Sequence, residues 1–313
     1  MVFESDPAIH FLYPGLERFP GFYSGDRREY ILLTARQIRA GLLRLDTSCR
    51  GGASVFPVGK SGGKQRVVWN GTRVSAAAAR PPRPPHLADP ACFAMLDIES
   101  GLQLRVTTRD CKTWFDQLSV VPGIGSFFGR PRVSRLELMA AGLSASDIRA
   151  AGGNDEADDF VPCSRVWPMG FSWSSCVAQS TLMGVCTRAN LSTSRVLAAD
   201  LPLPDDLSLA FAVATDDLMI FSSEGADSTI QAALAVERVM AEHGIHKNPD
   251  KDVNDVLSTT YVGVDLLDGR FWAPPAERLW TFIDAAVDLA SRRVGSRGAV
   301  AGYLGTITWF MLL

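Results

Sequence analysis

The sequence predicts an α+β fold, because strand-like and helix-like patterns both occur along its 313 residues. The segment LQLRVTTRD (102–110) alternates apolar and polar side chains with the period of two that a β-strand requires, and LAFAVA (209–214) and LMIFSS (218–223) are further strand-like runs. The segment DSTIQAALAVERVMAEHG (227–244) instead has the pattern of an amphipathic helix that stops at Gly244. With 47% hydrophobic side chains, the chain can bury the core of one large or two modest domains.

The other predicted elements follow in chain order. VVW (67–69) predicts a strand, and the proline-rich stretch RPPRPPHLADP (80–90) predicts an extended connector. A buried helix over CVAQSTLMGVC (176–186) follows a Pro-Gly turn, and the dipeptide Asp268–Gly269 predicts a hairpin turn. After Pro275, apolar residues recur at helical spacing, and Ser296 is placed to cap a further helix.

Charge and cysteine content limit the class of protein. The net charge of −3 counts mildly against a nucleic-acid partner. However, no acid lies between Asp46 and Asp89, whereas a cluster of basic residues does: Arg50, Lys60, Lys64, Arg66, Arg73, Arg80 and Arg83. An ordinary solvated surface explains such a cluster equally well. The six cysteines form no C-x-x-C pair, which argues against a zinc site and a disulfide framework and favours a reducing intracellular setting, in the nucleus or the cytoplasm.

Neither an export signal nor a membrane span is expected. The opening MVFESDPAIHFLYPG has Glu4 and Asp6 where a secretory signal has a basic start and an apolar core. The long uncharged stretch from Val166 to Cys186 is interrupted by proline, glycine and polar residues that a bilayer would reject.

Three aspartates are the candidate chemical site. Asp216 and Asp217 stand between LAFAVA and LMIFSS, so a tight turn containing both is expected, and aspartate is common in such turns for purely local reasons. Counting by two from Leu102 places Asp110 on the apolar face, at the end of its strand. If these strands are neighbours, the carboxylates converge, and two of them about 4 Å apart repel by about 4 kcal/mol at an effective dielectric near 20. Oxygen-seeking cations relieve that repulsion, which predicts a pair of Mg²⁺ ions, with Mn²⁺ as a substitute.

Several segments together carry a family resemblance. RDCKTWFDQL (109–118), VWPMGFSWSSCVAQ (166–179), ATDDL (214–218), HGIHKNPDK (243–251) and YVGVDL (261–266) follow one another in chain order. GGKQRVVWNGTRVS (62–75) precedes them, and AGYLGTITW (301–309) follows. In this succession they resemble the catalytic core of a retroelement reverse transcriptase over roughly residues 60–310, although each motif alone is weak.

The resemblance implies a right-hand polymerase fold with fingers, an antiparallel-sheet palm and a helical thumb. The implied domains are an N-terminal segment with the fingers at 1–97, a palm at 98–268 with an inserted fingers segment at about 120–160, and a thumb at 269–313. The implied activity is that of an RNA-directed DNA polymerase, a nucleotidyltransferase. Its implied partners are an RNA or DNA template with a primer, together with deoxynucleoside triphosphates.

Residue roles follow from the same resemblance. Asp110 and Asp216 are implied metal ligands with Asp217 beside them, and Lys251 is the implied proton donor to the departing pyrophosphate. Phe115 stands where the family has a ring that blocks a ribose 2′-hydroxyl, which implies a preference for deoxynucleotides. The remaining implied contacts are Lys64, Arg66, Pro168, Met169, Gly170 and Gln179 for the nucleotide and template, and Val262 and Gly263 for the primer.

The chain departs from the family pattern at identifiable places. Ala214 stands where the residue before x-D-D is usually tyrosine, and Asn70 stands where the fingers motif commonly has aspartate. The separation of the first and third motifs is long, which implies insertions near residues 120–160 and 190–207.

Three other functions stay open. VGKS (58–61) resembles the end of an ATPase phosphate loop, although Ser54 stands where that loop needs glycine. An RNA-dependent RNA polymerase would share the acids but usually carries an acid at the position of Phe115. A protein that binds nucleic acid without catalysis is favoured by Ala214 and opposed by the presence of the three aspartates and Lys251.

Overall fold

The computed structural model describes residues 25–311, apart from Asp97, Ser100, Ala226 and Arg293. The expectation about an export signal therefore lies outside the described residues, as do residues 1–24 of the predicted fingers domain and the last two residues of the predicted thumb. The helices are α1 Arg27–Arg39, α2 Thr72–Ala77, α3 Pro90–Ala94, α4 Trp114–Gln117, α5 Pro122–Gly125, α6 Arg135–Ala140, α7 Ala145–Ala150, α8 Ser174–Arg188, α9 Ser228–Glu242, α10 Ala276–Arg292 and α11 Arg297–Phe310.

The strands are β1 Leu43–Asp46, β2 Val55–Gly59, β3 Gln65–Trp69, β4 Arg105–Asp110, β5 Val133–Ser134, β6 Asp159–Ser164, β7 Ala210–Ala214, β8 Asp217–Ser222, β9 Val253–Val256, β10 Thr259–Tyr261, β11 Val264–Leu267 and β12 Phe271–Ala273. The mixture of helices and antiparallel sheets confirms the α+β prediction. The described residues form two compact units, one containing the chain up to Arg83 with Thr113–Ala178, and the other containing Pro84–Lys112 and the chain from Gln179 onward.

The first unit contains the 13-residue helix α1, several shorter helices and two small sheets. Its sheets are β1–β6–β5 and the β2–β3 hairpin. Ser134 and Glu137 form a capping box at the start of α6, which satisfies amide groups that an uncapped helix would leave unbonded. The core includes an aromatic cluster, with ring centroids 4.9–6.1 Å apart, formed by Trp69, Phe128, Trp167 and Phe171.

The structure is inconsistent with a phosphate loop at VGKS. Such a loop lies between a strand and a helix. Here the segment runs from the end of β2 into a three-residue 3-10 turn, Ser61–Gly63, and the chain then returns as the antiparallel strand β3.

The second unit is centred on the antiparallel sheet β7–β8–β4–β9. One face buries an apolar core that includes Phe93, Val106, Met219 and Phe221. The sequence placed Thr107 and Arg109 on a polar face of β4, but both are buried, because α9 packs on that face. The hydroxyl groups of Thr107 and Thr229 are 2.9 Å apart across this contact.

The remaining predicted elements of the second unit are confirmed. Helix α9 ends just before Gly244, whose φ of 67° suits glycine. Asp268 and Gly269 connect β11 to β12 with φ values of 51° and 64°, as expected for the predicted hairpin turn. Ser296 accepts a hydrogen bond from the backbone of Ala299 and so caps α11. Among the residues that the structure describes, no helix is both long and apolar enough to cross a bilayer.

Candidate active site

The β7–β8 hairpin presents the two neighbouring aspartates differently from the prediction. Ala214 pairs directly with Asp217, so the turn consists of Thr215 and Asp216 alone, and Asp217 is the first residue of β8. The sequence interpretation that placed both acids in the turn was therefore wrong for Asp217. Thr215 has a φ of 62°, which a β-branched residue rarely adopts without support from its surroundings.

Strand pairing brings Asp110 to the same place. Asp110, the last residue of β4, lies opposite Asp217 in the β4–β8 register. The adjacent Cys111 donates its N–H to the carbonyl oxygen of Asp216 at 2.9 Å. Burial, the charge of Asp216 and a hydrogen bond with Asp110 raise the pKa of Asp217 from 3.8 to about 7. Asp110 and the consecutive residues Asp216 and Asp217, which are distant from it in sequence, thus interact at one corner of the sheet.

Lys251 and Asn248 contact Asp110 from the segment before β9. The Lys251 ammonium nitrogen lies 2.5 Å from one carboxylate oxygen of Asp110, and the Asn248 amide donates to the other at 3.1 Å. The hydrogen bond to Asp110 raises the pKa of Lys251 above its usual value. The sequence interpretation missed Asn248, although its place three residues before Lys251 in HGIHKNPDK was a possible signal.

A second group of charges holds this segment in position. Arg109 donates through Nε to Glu237 of α9 at 2.5 Å, and its Nη1 donates to the carbonyl oxygen of Val253 at 3.1 Å. Lys247 lies 2.9 Å from the same Glu237 and also bonds Asp252. The Arg109 side chain is only 5% exposed, so these bonds form in a largely water-free environment where they restrict its position strongly.

The carboxyl cluster suits a hard divalent cation by its donor chemistry. Carboxylate oxygens are the ligands that Mg²⁺ prefers. Burial and then repulsion from Asp216 raise the pKa of Asp217, and an added cation would relieve that repulsion. No group of three or more acidic, histidine or cysteine side chains in the described part of the chain is already arranged as a cation site. Asp110 is instead paired with the ammonium group of Lys251.

Tyr261 supports the hairpin from within the core. Its hydroxyl group lies 3.0 Å from the carbonyl oxygen of Ala212 and 2.9 Å from that of Asp217. Burial raises the pKa of this phenol well above 10, so the group stays neutral. The next two residues, Val262 and Gly263, form the turn between β10 and β11 with φ values of 43° and 80°. These are the two residues that the resemblance assigns to the primer.

Gln179 is fully buried in the second unit. Its amide nitrogen lies within 3.2 Å of the carbonyl oxygens of Pro85, His86 and Val213. Its carbonyl oxygen accepts the backbone N–H of Thr215 at 2.7 Å. The side chain is therefore occupied by bonds within the protein.

The other predicted nucleotide contacts lie in the first unit. Lys64 and Arg66 are exposed at the β2–β3 hairpin, and Arg66 Nη1 lies 3.9 Å from the sulfur of Met169. The Met169 carbonyl accepts the N–H of Trp69 at 2.9 Å, while Pro168 is buried in the turn before Gly170. The structure thus brings the predicted fingers strand and the Pro-Met-Gly turn together.

Gly170 is required by this contact. Its φ is 109°, and a Cβ atom there would lie 2.0 Å from the carbonyl oxygen of Trp69.

Phe115, in α4 of the first unit, is partly buried. Asp110, Asp216, Asp217 and Lys251 belong to the second unit.

Comparisons with known proteins bear on the fold. No family model and no curated protein matches the sequence. The structure is similar to two solved structures of a foamy viral protease-reverse transcriptase with double-stranded DNA, at TM-scores of 0.61 and 0.60 and 13% identity in each case. Both similarities cover 96% of this chain, but only 44% and 52% of the viral chains, so this chain spans about half of their length. The chain therefore shares a fold with these reverse-transcriptase structures.

Proposed function

We propose that the protein is an RNA-directed DNA polymerase that adds deoxynucleotides to a primer 3′-hydroxyl. The observation that carries this proposal is the direct pairing of Asp110 with Asp217, with Asp216 in the adjoining turn and Lys251 bonded to Asp110. A reverse-transcriptase-like fold with this carboxyl cluster at the end of two neighbouring strands is consistent with nucleotidyl transfer.

The second unit supplies the reacting centre. Asp110, Asp216 and Asp217 would hold two Mg²⁺ ions, or Mn²⁺ in their place. When bound, such a pair lowers the charge on the attacking hydroxyl and on the leaving phosphate oxygen. Lys251 is a cation at neutral pH, and its hydrogen bond to Asp110 raises its pKa above the usual value, so it carries a proton that it would donate to the departing pyrophosphate.

The residues assigned to the nucleotide belong to the first unit. Lys64 and Arg66 would neutralise the triphosphate, because both are exposed cations on one hairpin. The Met169–Gly170 turn would approach the nucleotide through its backbone, and Phe115 would exclude a ribose 2′-hydroxyl. The proposed division of the chain remains an N-terminal segment with the fingers at 1–97, a palm at 98–268 with an inserted fingers segment at about 120–160, and a thumb at 269–313.

Template and primer would be held mostly through their phosphates, since copying requires indifference to sequence. Val262 and Gly263 would contact the primer. Affinity for a primer–template duplex should therefore fall steeply as salt is raised.

Primer extension on an RNA template tests the proposal. Asp216→Asn keeps the size of the side chain but removes its charge, so incorporation of deoxynucleotides should fall by about 100-fold or more. Asp205→Asn is the matched control, because Asp205 is an exposed acid in the same unit. Equal extension by Asp216→Asn and the parent would remove the assignment.

A second candidate is a protein that binds nucleic acid without catalysis. It is favoured by Ala214, which removes the usual ring, and by the ion pair that occupies Asp110. This candidate predicts salt-dependent duplex binding with no extension in either Mg²⁺ or Mn²⁺. Extension that prefers ribonucleotides would instead indicate an RNA polymerase.

A further inference from the structure

The turn that carries Asp216 is held in a conformation that its own sequence does not favour. Thr215 has a φ of 62°, a region that a β-branched residue rarely occupies unless neighbouring groups stabilise it. Two bonds from outside the hairpin do so. Gln179 accepts the N–H of Thr215 at 2.7 Å, and Cys111 donates to the carbonyl of Asp216 at 2.9 Å.

The amide nitrogen of Gln179 links the same hairpin to the proline-rich connector. Its nitrogen lies 3.1 Å from the carbonyl oxygens of Pro85 and His86 and 3.2 Å from that of Val213, in β7. Val213 also accepts the N–H of Ala88 at 3.0 Å. The connector, the end of β7 and Thr215 are therefore all bonded to the Gln179 side chain.

In this arrangement both amide hydrogens of Gln179 are used by bonds within the protein. The side chain is 0% exposed, its two amide hydrogens face three carbonyl oxygens, and its carbonyl oxygen is already bonded. Binding a nucleotide through this amide would remove its donors from the part-buried carbonyl groups of Pro85 and His86, which is costly. The resemblance places Gln179 at the nucleotide, whereas these contacts favour an internal role.

We propose that Gln179 is a positioning residue that sets the conformation of the Thr215–Asp216 turn and thereby the placement of the Asp216 carboxylate. This inference rests on the proposed function, in which Asp216 binds the cation. Gln179 acts through the backbone of Thr215, so its removal should affect turnover and cation affinity more than nucleotide affinity.

The test compares Gln179→Met with Gln179→Glu and with Met183→Leu. Methionine matches the length of glutamine without its hydrogen bonds, and glutamate keeps an acceptor for the Thr215 N–H but loses the amide donors. Met183→Leu is the control, because Met183 is buried one turn further along α8 and the exchange conserves volume.

Three measurements are made on the full chain: hydrogen exchange of the Thr215 amide, Mn²⁺ affinity by electron paramagnetic resonance, and kcat and KM for deoxynucleotides. Gln179→Met should speed Thr215 exchange by about tenfold or more, weaken Mn²⁺ binding several-fold, and lower kcat by about 100-fold while KM changes less than about twofold. Gln179→Glu should show smaller changes in the same direction, and Met183→Leu should match the parent.

Two results would overturn the inference: Thr215 exchange as slow in Gln179→Met as in the parent, or a raised KM with kcat preserved, which would assign Gln179 to the nucleotide. If Gln179→Met fails to fold by circular dichroism, Gln179→Glu decides by the same criteria. A parent without extension activity would defeat the polymerase proposal, and the exchange and Mn²⁺ measurements would still decide this one.

Discussion

Lys251 and Asp110 form an ion pair in which the ammonium nitrogen lies 2.5 Å from the carboxylate oxygen Oδ1. The two side chains differ in environment, because Asp110 is buried whereas the Lys251 side chain is 51% exposed. This exposure lets the ammonium group move into water, and a divalent cation that takes its place would keep Asp110 from becoming an unpaired buried charge. The pair is therefore compatible with exchange of the ammonium group for a divalent cation.

Lys251→Met should raise the affinity of the protein for Mn²⁺ by about two- to fivefold, because it removes a cation that competes for Asp110. The same variant should slow primer extension, since the proposed proton donor is lost. Titration with Mn²⁺ and primer extension measure the two effects. Lys251→Arg keeps the charge and should leave Mn²⁺ affinity near that of the parent. Weaker Mn²⁺ binding by Lys251→Met would contradict competition at Asp110.

The raised pKa of Asp217 predicts how the free energy of unfolding depends on pH in the absence of metal. The unfolded chain releases this proton near pH 4, whereas burial, Asp216 and Asp110 hold it in the folded protein to about pH 7. The folded state therefore binds more protons between these values, and the contribution of Asp217 to the free energy of unfolding falls as pH rises through this window. We expect a loss of about 2 kcal/mol after allowance for partial exposure.

Urea unfolding of the parent and of Asp217→Asn, with EDTA at about pH 4.5 and pH 8, isolates this contribution. Other titrating groups are common to both proteins and cancel in the difference. The parent should lose stability relative to Asp217→Asn as pH rises. A stability difference that is the same at both pH values would show that Asp217 is ionised throughout.

Local sequence patterns were sufficient for most elements of the second unit. The alternation before Asp110, the Asp268–Gly269 turn and the Ser296 cap each depend on neighbours within a few residues, and the structure contains all three. The convergence of Asp110 with Asp217 was also predictable, because strand ends that are paired in one sheet lie side by side.

Long-range packing explains what the sequence did not reveal. Arg109 looked like a solvent-facing strand residue, because nothing nearby in the chain indicates that α9 would cover it. Asn248 and Gln179 carry no periodic signal, and their bonds are to residues 138 and 36 positions away. Strand β8 begins at Asp217, one residue earlier than predicted, because the left-handed conformation of Thr215 closes the turn with Asp216 alone.

The ion pair between the buried Arg109 and the partly buried Glu237 should contribute far more to the free energy of unfolding than an exposed pair. Arg109→Met leaves acceptors on α9 and β9 without their donor, so we expect a loss of about 3–5 kcal/mol in the free energy of unfolding. Glu237→Gln keeps an acceptor for Arg109 and should cost about 1–2 kcal/mol. Asp288→Asn, in the exposed pair with Arg292, is the control and should change stability by about 0.5 kcal/mol or less. Equal losses for the buried and exposed pairs would show that the network around Arg109 does not restrict the segment before β9.

Alanine substitutions at Gly170 and Gly184 should change the free energy of unfolding in opposite directions. At Gly170 a Cβ atom would lie 2.0 Å from the carbonyl oxygen of Trp69, and φ is 109°, so Gly170→Ala must move β3 away from the Pro-Met-Gly turn and should cost about 3 kcal/mol or more. At Gly184, within α8, an added Cβ meets nothing within 4 Å, so Gly184→Ala should stabilise the protein by about 0.5–1 kcal/mol through helix propensity. Urea unfolding of both variants measures the contrast. Parent-like stability of Gly170→Ala would mean that the turn does not pack against Trp69 in solution, and the proposed nucleotide contacts of Arg66 and Met169 would lose their common support.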